Sequence, residues 1–399
     1  MPRDGRKDAV CSLSSGRVRV PVHLRTPRGD ALPSSHRRFV KPRFPREVVC
    51  FLKSASLYLD MYAALIKDNS ITYGATEDPD ISENDILVKV NTAGVNAADI
   101  LQVLGHYPPP PGTVRDIPGL EYSGTVEKIG SKVTGFEIGD KVMGLTAGGA
   151  HAQKLAVNAG TALLLPKSLD SVEAGGFSEA FFTAYDALAL KAGLSPGESL
   201  LVTGAAGGVG TAATQIGILW QCRVVASIRN EATRRRFEEH FARLKSMNSC
   251  HRDSRGSLLI TFHNGATLTV TSPEGECLYQ KYHVFLELLA GKHLSNDLEM
   301  SEKGARIAVI GLLESRAGDI DLSLLLRHHI NIFGSTLRSR SNEEKALLSK
   351  RIGEDLLPYL VGKELSVVID SCFPLAEVKE AYRYFRKGGK FGKIVLSAE

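Results

Sequence analysis

The sequence predicts an α/β protein: an irregular β-barrel-like domain followed by a doubly wound parallel sheet. Three observations predict it. As far as about residue 180, short strand-like runs follow one another across glycine turns, without intervening helices. Beyond that point strands and helices alternate regularly, the pattern of a parallel sheet covered on both faces. At the change stands SLLVTGAAGGVGTAATQIGILWQCRVVASI, residues 199–228, which reads as strand, glycine turn, helix and second strand.

The first strand-like run is AALI at 63–66, just after Met61. ILVKV at 86–90 alternates and reads as a half-buried strand. YSGTV at 122–126 is another, and EIGDKVM at 137–143 carries a turn into a third. The buried run 199–203 enters the glycine turn, Ala212, Ala213, Ile216 and Leu219 mark the helix after it, and VVA at 224–226 is the second strand. A helix is expected at 232–239. Residues 240–264 then interrupt the alternation; they are polar, rich in Ser, Arg and Asn, and lengthen a connection that is usually ~2–6 residues. They read as an inserted, exposed loop. Strands are expected at 266–270, 284–286, 305–310 and 330–333. Past Ser335 come a helix at 343–357, a strand at 366–369, a helix at 375–385 and a last strand at 393–396.

The glycine turn is the strongest chemical signal. Ala206, Gly207, Gly208, Val209 and Gly210 join a strand to a helix N-terminus, whose unpaired N–H groups suit a pyrophosphate; glycine lets the backbone approach it. Ala205 stands where the usual motif has its first glycine.

Composition narrows the class. Hydrophobic content of 43% and charged content of 23% are ordinary for a globular protein, and no apolar run approaches the ~18 residues of a membrane span. The formal charge of +5 belongs to the leader: residues 1–60 hold 13 Lys/Arg against 5 Asp/Glu, and the rest 36 against 39. No nucleic-acid face is implied for 61–399. The leader is rich in Arg, Ser and Pro and reads as a disordered tail, as upstream sequence wrongly joined to the coding region, or as a transit peptide to a mitochondrion or plastid. Six scattered cysteines (Cys11, Cys50, Cys222, Cys250, Cys277, Cys372) form no CxxC pair and fit a reducing, cytoplasmic setting.

Over about residues 62–399, apart from 240–264, the chain resembles the quinone oxidoreductase branch of the medium-chain dehydrogenase/reductase superfamily. The motifs that carry the resemblance are GVNAAD at 94–99, GHYPPPPG at 105–112, PGLEYSG at 118–124, GDKV at 139–142, FTAY at 182–185, the glycine turn, GSTLR at 334–338 and GKIVL at 392–396. The resemblance implies a split barrel-like catalytic domain with a Rossmann cofactor domain between its halves. The boundaries are then 1–60 leader, 61–182 first catalytic part, 183–333 cofactor domain and 334–399 return.

Zinc-dependent relatives place a Cys where this chain has Asn96 and a His where it has Leu120; neither residue supplies a thiolate or imidazole. The stretch 126–142 also lacks the cysteines of a structural zinc lobe, and His36, His328 and His329 read as ordinary lone histidines. No metal is expected. The resemblance places Asn96 and Tyr107 against the nicotinamide, as substrate-pocket residues able to donate to a developing oxyanion. For Asp99 a helix-capping role is expected. Cofactor preference is read after the second strand, where no acid appears before Glu231. Arg229 could pair with a 2′-phosphate, with Ser227 and Asn230 adding hydrogen bonds, so NADPH is favoured over NADH. The resemblance adds Thr183, Gly311, Leu312 and Ser335 near the nicotinamide, and Lys390 and Lys393 near the phosphates.

Two departures from the pattern bear on cofactor binding. Gln221 and Cys222 stand where relatives have Gly-Ala, so a residue near Gln221 needs a positive φ; and a family tyrosine is replaced near Ser272. The expected activity is NADPH-dependent hydride transfer to a quinone or activated enone, in a dimer pairing edge strands near 330–333. An enoyl-thioester reductase needing a basic groove, and a non-catalytic structural or RNA-associated protein, are the alternatives.

Overall fold

The structure, a computed structural model, describes residues 61–254, 256–273 and 280–398, all within the unit Tyr58–Glu399. The leader expected at 1–60 lies outside the described residues. β1 (Met61–Lys67) and β2 (Ser70–Thr76) form an antiparallel hairpin. β3 (Asp85–Val95), β4 (Glu121–Ile129), β5 (Lys141–Leu145), β6 (Lys154–Asn158) and β7 (Ala162–Leu164) build the barrel-like sheet. β3 is its spine and pairs antiparallel with both β4 and β6. The alternation read at 86–90 puts Ile86, Val88 and Val90 into one core with Tyr122 and Val142. The short helix implied by the capping role of Asp99, Ala97–Val103, leaves the end of β3.

The second sheet contains β8 (Ser199–Val202), β9 (Arg223–Ser227), β10 (Met247–Arg252), β11 (Leu258–Phe262), β12 (Thr267–Thr271), β13 (Tyr282–Glu287), β14 (Ser301–Val309) and β15 (Asn331–Gly334). Its spatial order is β10-β11-β12-β9-β8-β13-β14-β15. From β12 to β15 the strands are parallel, and the order reverses between β8 and β13. That reversal is the switch point at which such sheets hold ligands, beyond the carboxyl ends of the strands.

The exposed loop expected at 240–264 is not there. The helix Glu231–Ala242 runs on past 239, and β10 and β11 form an antiparallel pair that extends the sheet beyond β12. Leu258, Ile260 and Phe262 alternate onto the core beneath Phe237 and Phe241. Polar residues dominate the segment's composition, but period-two spacing of its few apolar ones decides its structure.

The C-terminal return contains the helices Asn342–Asp355, Leu357–Val361 and Val378–Lys387 with β16 (Ile369–Pro374) and β17 (Lys393–Ser397). The strand expected at 366–369 thus begins where that range ends. β17 pairs with β16 and with β3, so the last strand completes the first sheet. Among the described residues, no helix is long and apolar enough to cross a membrane.

Candidate active site

The glycine turn leaves β8 at the switch point. Gly204 sits at φ 59, in the left-handed region where glycine carries no steric cost. A Cβ on Gly210 would fall 2.6 Å from the Cα of Ala205, so only glycine lets the helix Gly208–Leu219 pack this closely on the strand end. Ala205 itself is fully buried and is not among the positive-φ residues, so the alanine there is unstrained. Gly207 is the N-cap and supplies no side-chain cap, which leaves the first-turn N–H groups of Gly208, Val209 and Gly210 without helical partners. Beside Gly207, a Cβ would meet nothing nearer than the Gly204 carbonyl at 3.6 Å. An open cradle of donors at a twelve-residue helix N-terminus fits a dinucleotide diphosphate.

The returning chain clamps this turn. The Gly392 N–H donates to the Ala206 carbonyl at 2.8 Å, and the Lys393 stem lies over Gly208. The Lys393 ammonium, expected at the phosphates, reaches instead into the barrel domain. It donates to Asn96 Oδ1 at 2.5 Å and pairs with Glu121, whose side chain is fully buried. Asn96 Nδ2 donates to Glu121 Oε1 at 2.9 Å, and the Glu179 backbone N–H to Glu121 Oε2 at 2.8 Å. Both ends of the Asn96 amide are therefore engaged within the protein. Asp99 has its expected capping role: it accepts from the Asn96 backbone N–H at 2.8 Å and from that of Gly119 at 2.9 Å.

Tyr107 lies on the loop after the helix Ala97–Val103. Its ring faces the Arg338 guanidinium at 5.3 Å, and its carbonyl accepts from Arg338 Nη1 at 3.1 Å. Arg338 is buried and also donates to Gln102 and to the Ala147 carbonyl, tying the segment after β15 to the barrel domain. Burial first, then the charge of Glu179, raises the Tyr107 phenol above its usual value. Burial raises Glu179 itself to about 8, with Glu121 the next cause.

The other expected residues are spread along the crevice. Arg229 forms an ion pair with Glu314, from the loop after β14, so the two bridge the carboxyl ends of β9 and β14. The Asn230 side-chain oxygen caps the helix Glu231–Ala242 by accepting from the Thr233 N–H at 2.9 Å. Ser227 is buried, and its carbonyl accepts from the Ala205 N–H. Gly311 approaches so near the Leu288 carbonyl that a Cβ would sit 2.5 Å from it; Leu312 is exposed. The Ser335 hydroxyl donates to Asp186 at 2.6 Å, in a group with Arg340. Thr183 is half-buried in the helix Ser178–Tyr185, and Lys390 stacks its ammonium over Phe385 at 4.1 Å. Glu121, Glu179 and Arg338 were not anticipated as site residues. Glu121 and Arg338 lay inside quoted motifs, whereas nothing in the sequence marked Glu179.

Catalytic zinc does not fit these residues. Leu120 is buried and has no donor atom, the Asn96 amide is committed, and among the described residues no group of three or more His, Cys, Asp or Glu could hold a metal.

A doubly wound sheet with a phosphate cradle, packed against a barrel-like domain, defines a nicotinamide-dinucleotide-binding oxidoreductase. Residues 82–192 match the alcohol dehydrogenase GroES-like domain, and residues 264–396 the zinc-binding dehydrogenase model. The chain belongs to the medium-chain dehydrogenase/reductase superfamily. It is 29% identical over 318 residues to the quinone oxidoreductase of Lama guanicoe, covering 79% of this chain and 89% of the relative. In fold it is similar to an alcohol dehydrogenase superfamily protein from Novosphingobium aromaticivorans, at TM-score 0.70 and 22% identity over 85% of this chain and all of that one. The CurK enoyl reductase superposes at TM-score 0.67 and 20% identity, covering 84% of this chain and 98% of its own.

Proposed function

We propose that the protein is an NADPH-dependent, metal-independent reductase that transfers hydride to a quinone or activated enone. The observation that carries this reading is one juxtaposition. An uncapped helix N-terminus at Gly208–Gly210 lies beside a buried polar group of Asn96, Glu121 and Lys393 contributed by the facing domain. When bound, the nicotinamide supplies the hydride. The protein supplies the rest: the glycine turn holds the diphosphate, Lys393 and Glu121 fix the floor of the cleft, and Arg338 holds the Tyr107 loop over it. Arg229 supports a preference for the 2′-phosphate, since a guanidinium can pair with it bidentately.

One feature favours a second reading, an enoyl thioester as acceptor. A groove of about 900 Å³ between the β1–β2 turn, the helix Ala97–Val103 and the helix Val378–Lys387 carries Lys379, Arg386 and Lys387, with Arg383 paired to Glu380, around Ile100 and Val103. Such a basic, part-apolar groove suits an anionic carrier. Oxidation of NADPH and NADH by the full chain, assayed against simple quinones, enones and enoyl thioesters, separates the readings. NADPH oxidation by quinones or enones supports the first reading; turnover confined to thioesters replaces it with the second. No binding of either reduced cofactor to folded protein removes both.

A further inference from the structure

We propose that Glu179 is the proton donor of this site, giving its carboxylic proton to the acceptor's oxygen as hydride arrives. The inference deepens, and rests on, the hydride-transfer reading above. Glu179 stands in the first turn of the helix Ser178–Tyr185, where its backbone N–H is bound to Glu121. That bond fixes the residue at the rim of the Asn96–Glu121–Lys393 group. Among the described residues its half-buried carboxyl has no hydrogen-bond partner, whereas Asn96, Glu121, Lys393, Arg338 and Lys345 each have protein partners. A half-buried polar group without a partner, on a residue bound through its backbone to Glu121, is available to a ligand.

Burial first, and then the neighbouring carboxylate of Glu121, raise that carboxyl to about 8. Glu121 on β4 and Asp99 on the helix Ala97–Val103 oppose its ionisation, while Lys393 on β17 and Arg338 after β15 favour it. Lys345 on the helix Asn342–Asp355 and Tyr107 feel its charge in turn. Burial outweighs the cations, and with the group held at about 8 the acid outnumbers the carboxylate roughly tenfold at pH 7. Tyr107 is the competing donor, but its phenol lies above an already high ordinary value. A general acid works best when its pKa is near the operating pH, which favours Glu179 and leaves Tyr107 as a hydrogen-bond donor.

The step balances. Hydride adds to the β-carbon of an enone, and the electron pair of the C=C bond moves through to the carbonyl oxygen. That oxygen takes the Glu179 proton, giving an enol that becomes the ketone in water. A quinone likewise gains hydride and one proton to become a hydroquinone. The Glu179 carboxylate then recovers a proton from solvent.

Two measurements on Glu179→Gln test this. Infrared difference spectra of wild type minus variant, without cofactor, are expected to show a protonated carboxyl at pH 6 that is lost with a midpoint near 8. In turnover with NADPH and a quinone or enone, wild-type kcat is expected to fall tenfold per pH unit above 8. The variant should lose roughly 100-fold in kcat at pH 7 and lack that alkaline limb, with its NADPH affinity within twofold of wild type. Glu179→Asp, which keeps the acid, should restore part of kcat together with a pH limb. A carboxylate signal at pH 7, or a Gln variant that keeps the wild-type limb, overturns the assignment. Failure of wild type to bind NADPH overturns the parent reading, and the proposal with it, whatever the infrared spectrum shows.

Discussion

Gln221 stands at φ 60, in the turn between the helix Gly208–Leu219 and β9. The sequence located this strain because relatives have a glycine nearby, and left-handed backbone costs a residue with a Cβ roughly 1–2 kcal/mol. Gln221→Gly is expected to stabilise the fold by about 1 kcal/mol, read as a higher urea midpoint at unchanged slope. A lower midpoint would mean that the Gln221 side chain contributes more than its backbone costs. Arg229 raises a separate question at the same scale. Its partner Glu314 is held below the usual carboxylate range, with Arg229 the first cause. The Arg229 side chain is 62% exposed, however, and pairs of that kind contribute only ~0–1 kcal/mol, so a 2′-phosphate can displace Glu314. Glu314→Gln is therefore expected to tighten NADPH binding a few-fold. Arg229→Ala should weaken it ~10-fold and leave NADH within twofold. Equal effects on the two cofactors would remove Arg229 from the recognition of the 2′-phosphate.

Elements were legible in the sequence where their apolar period was long or their turn chemistry strong. β3 met the first condition, and β8 with the glycine turn that follows it met the second. The segment 240–264 met neither. Its Ser, Arg and Asn content masks LLITF at 258–262, whose alternate residues Leu258, Ile260 and Phe262 are buried. Only the neighbouring strand β12 and the overlying helix Glu231–Ala242 supply the surfaces those residues need. Phe262→Ala should then cost about 3–5 kcal/mol in chemical denaturation, the loss expected for a packed aromatic. A change below 0.5 kcal/mol would restore the loop. The helix Ala97–Val103 was legible only through its cap: at seven residues it is too short to show a period, and it is held by the Asn96–Asp99 cap.

Across the whole molecule, β15 is the outer strand of the eight-stranded sheet among the described residues, with Ile332 and Phe333 half-buried. The preceding helix Leu322–His328 exposes Leu322 and Leu326. An open apolar edge of this kind invites pairing with a second copy. Light scattering is expected to give a dimer for wild type and a monomer for Ile332→Lys; a monomeric wild type would exclude the pairing. The sequence by itself determined the change from successive strands to a doubly wound sheet and the glycine turn, because both are written in short-range spacing and in the conformational limits of glycine; the strained Gln221 followed from the family resemblance. The meeting of Lys393, Asn96, Glu121 and Glu179 was decided only by the tertiary structure. Those residues come from four separate stretches of chain, and the burial and neighbouring charges that raise Glu179 exist only once β17 has returned to β3.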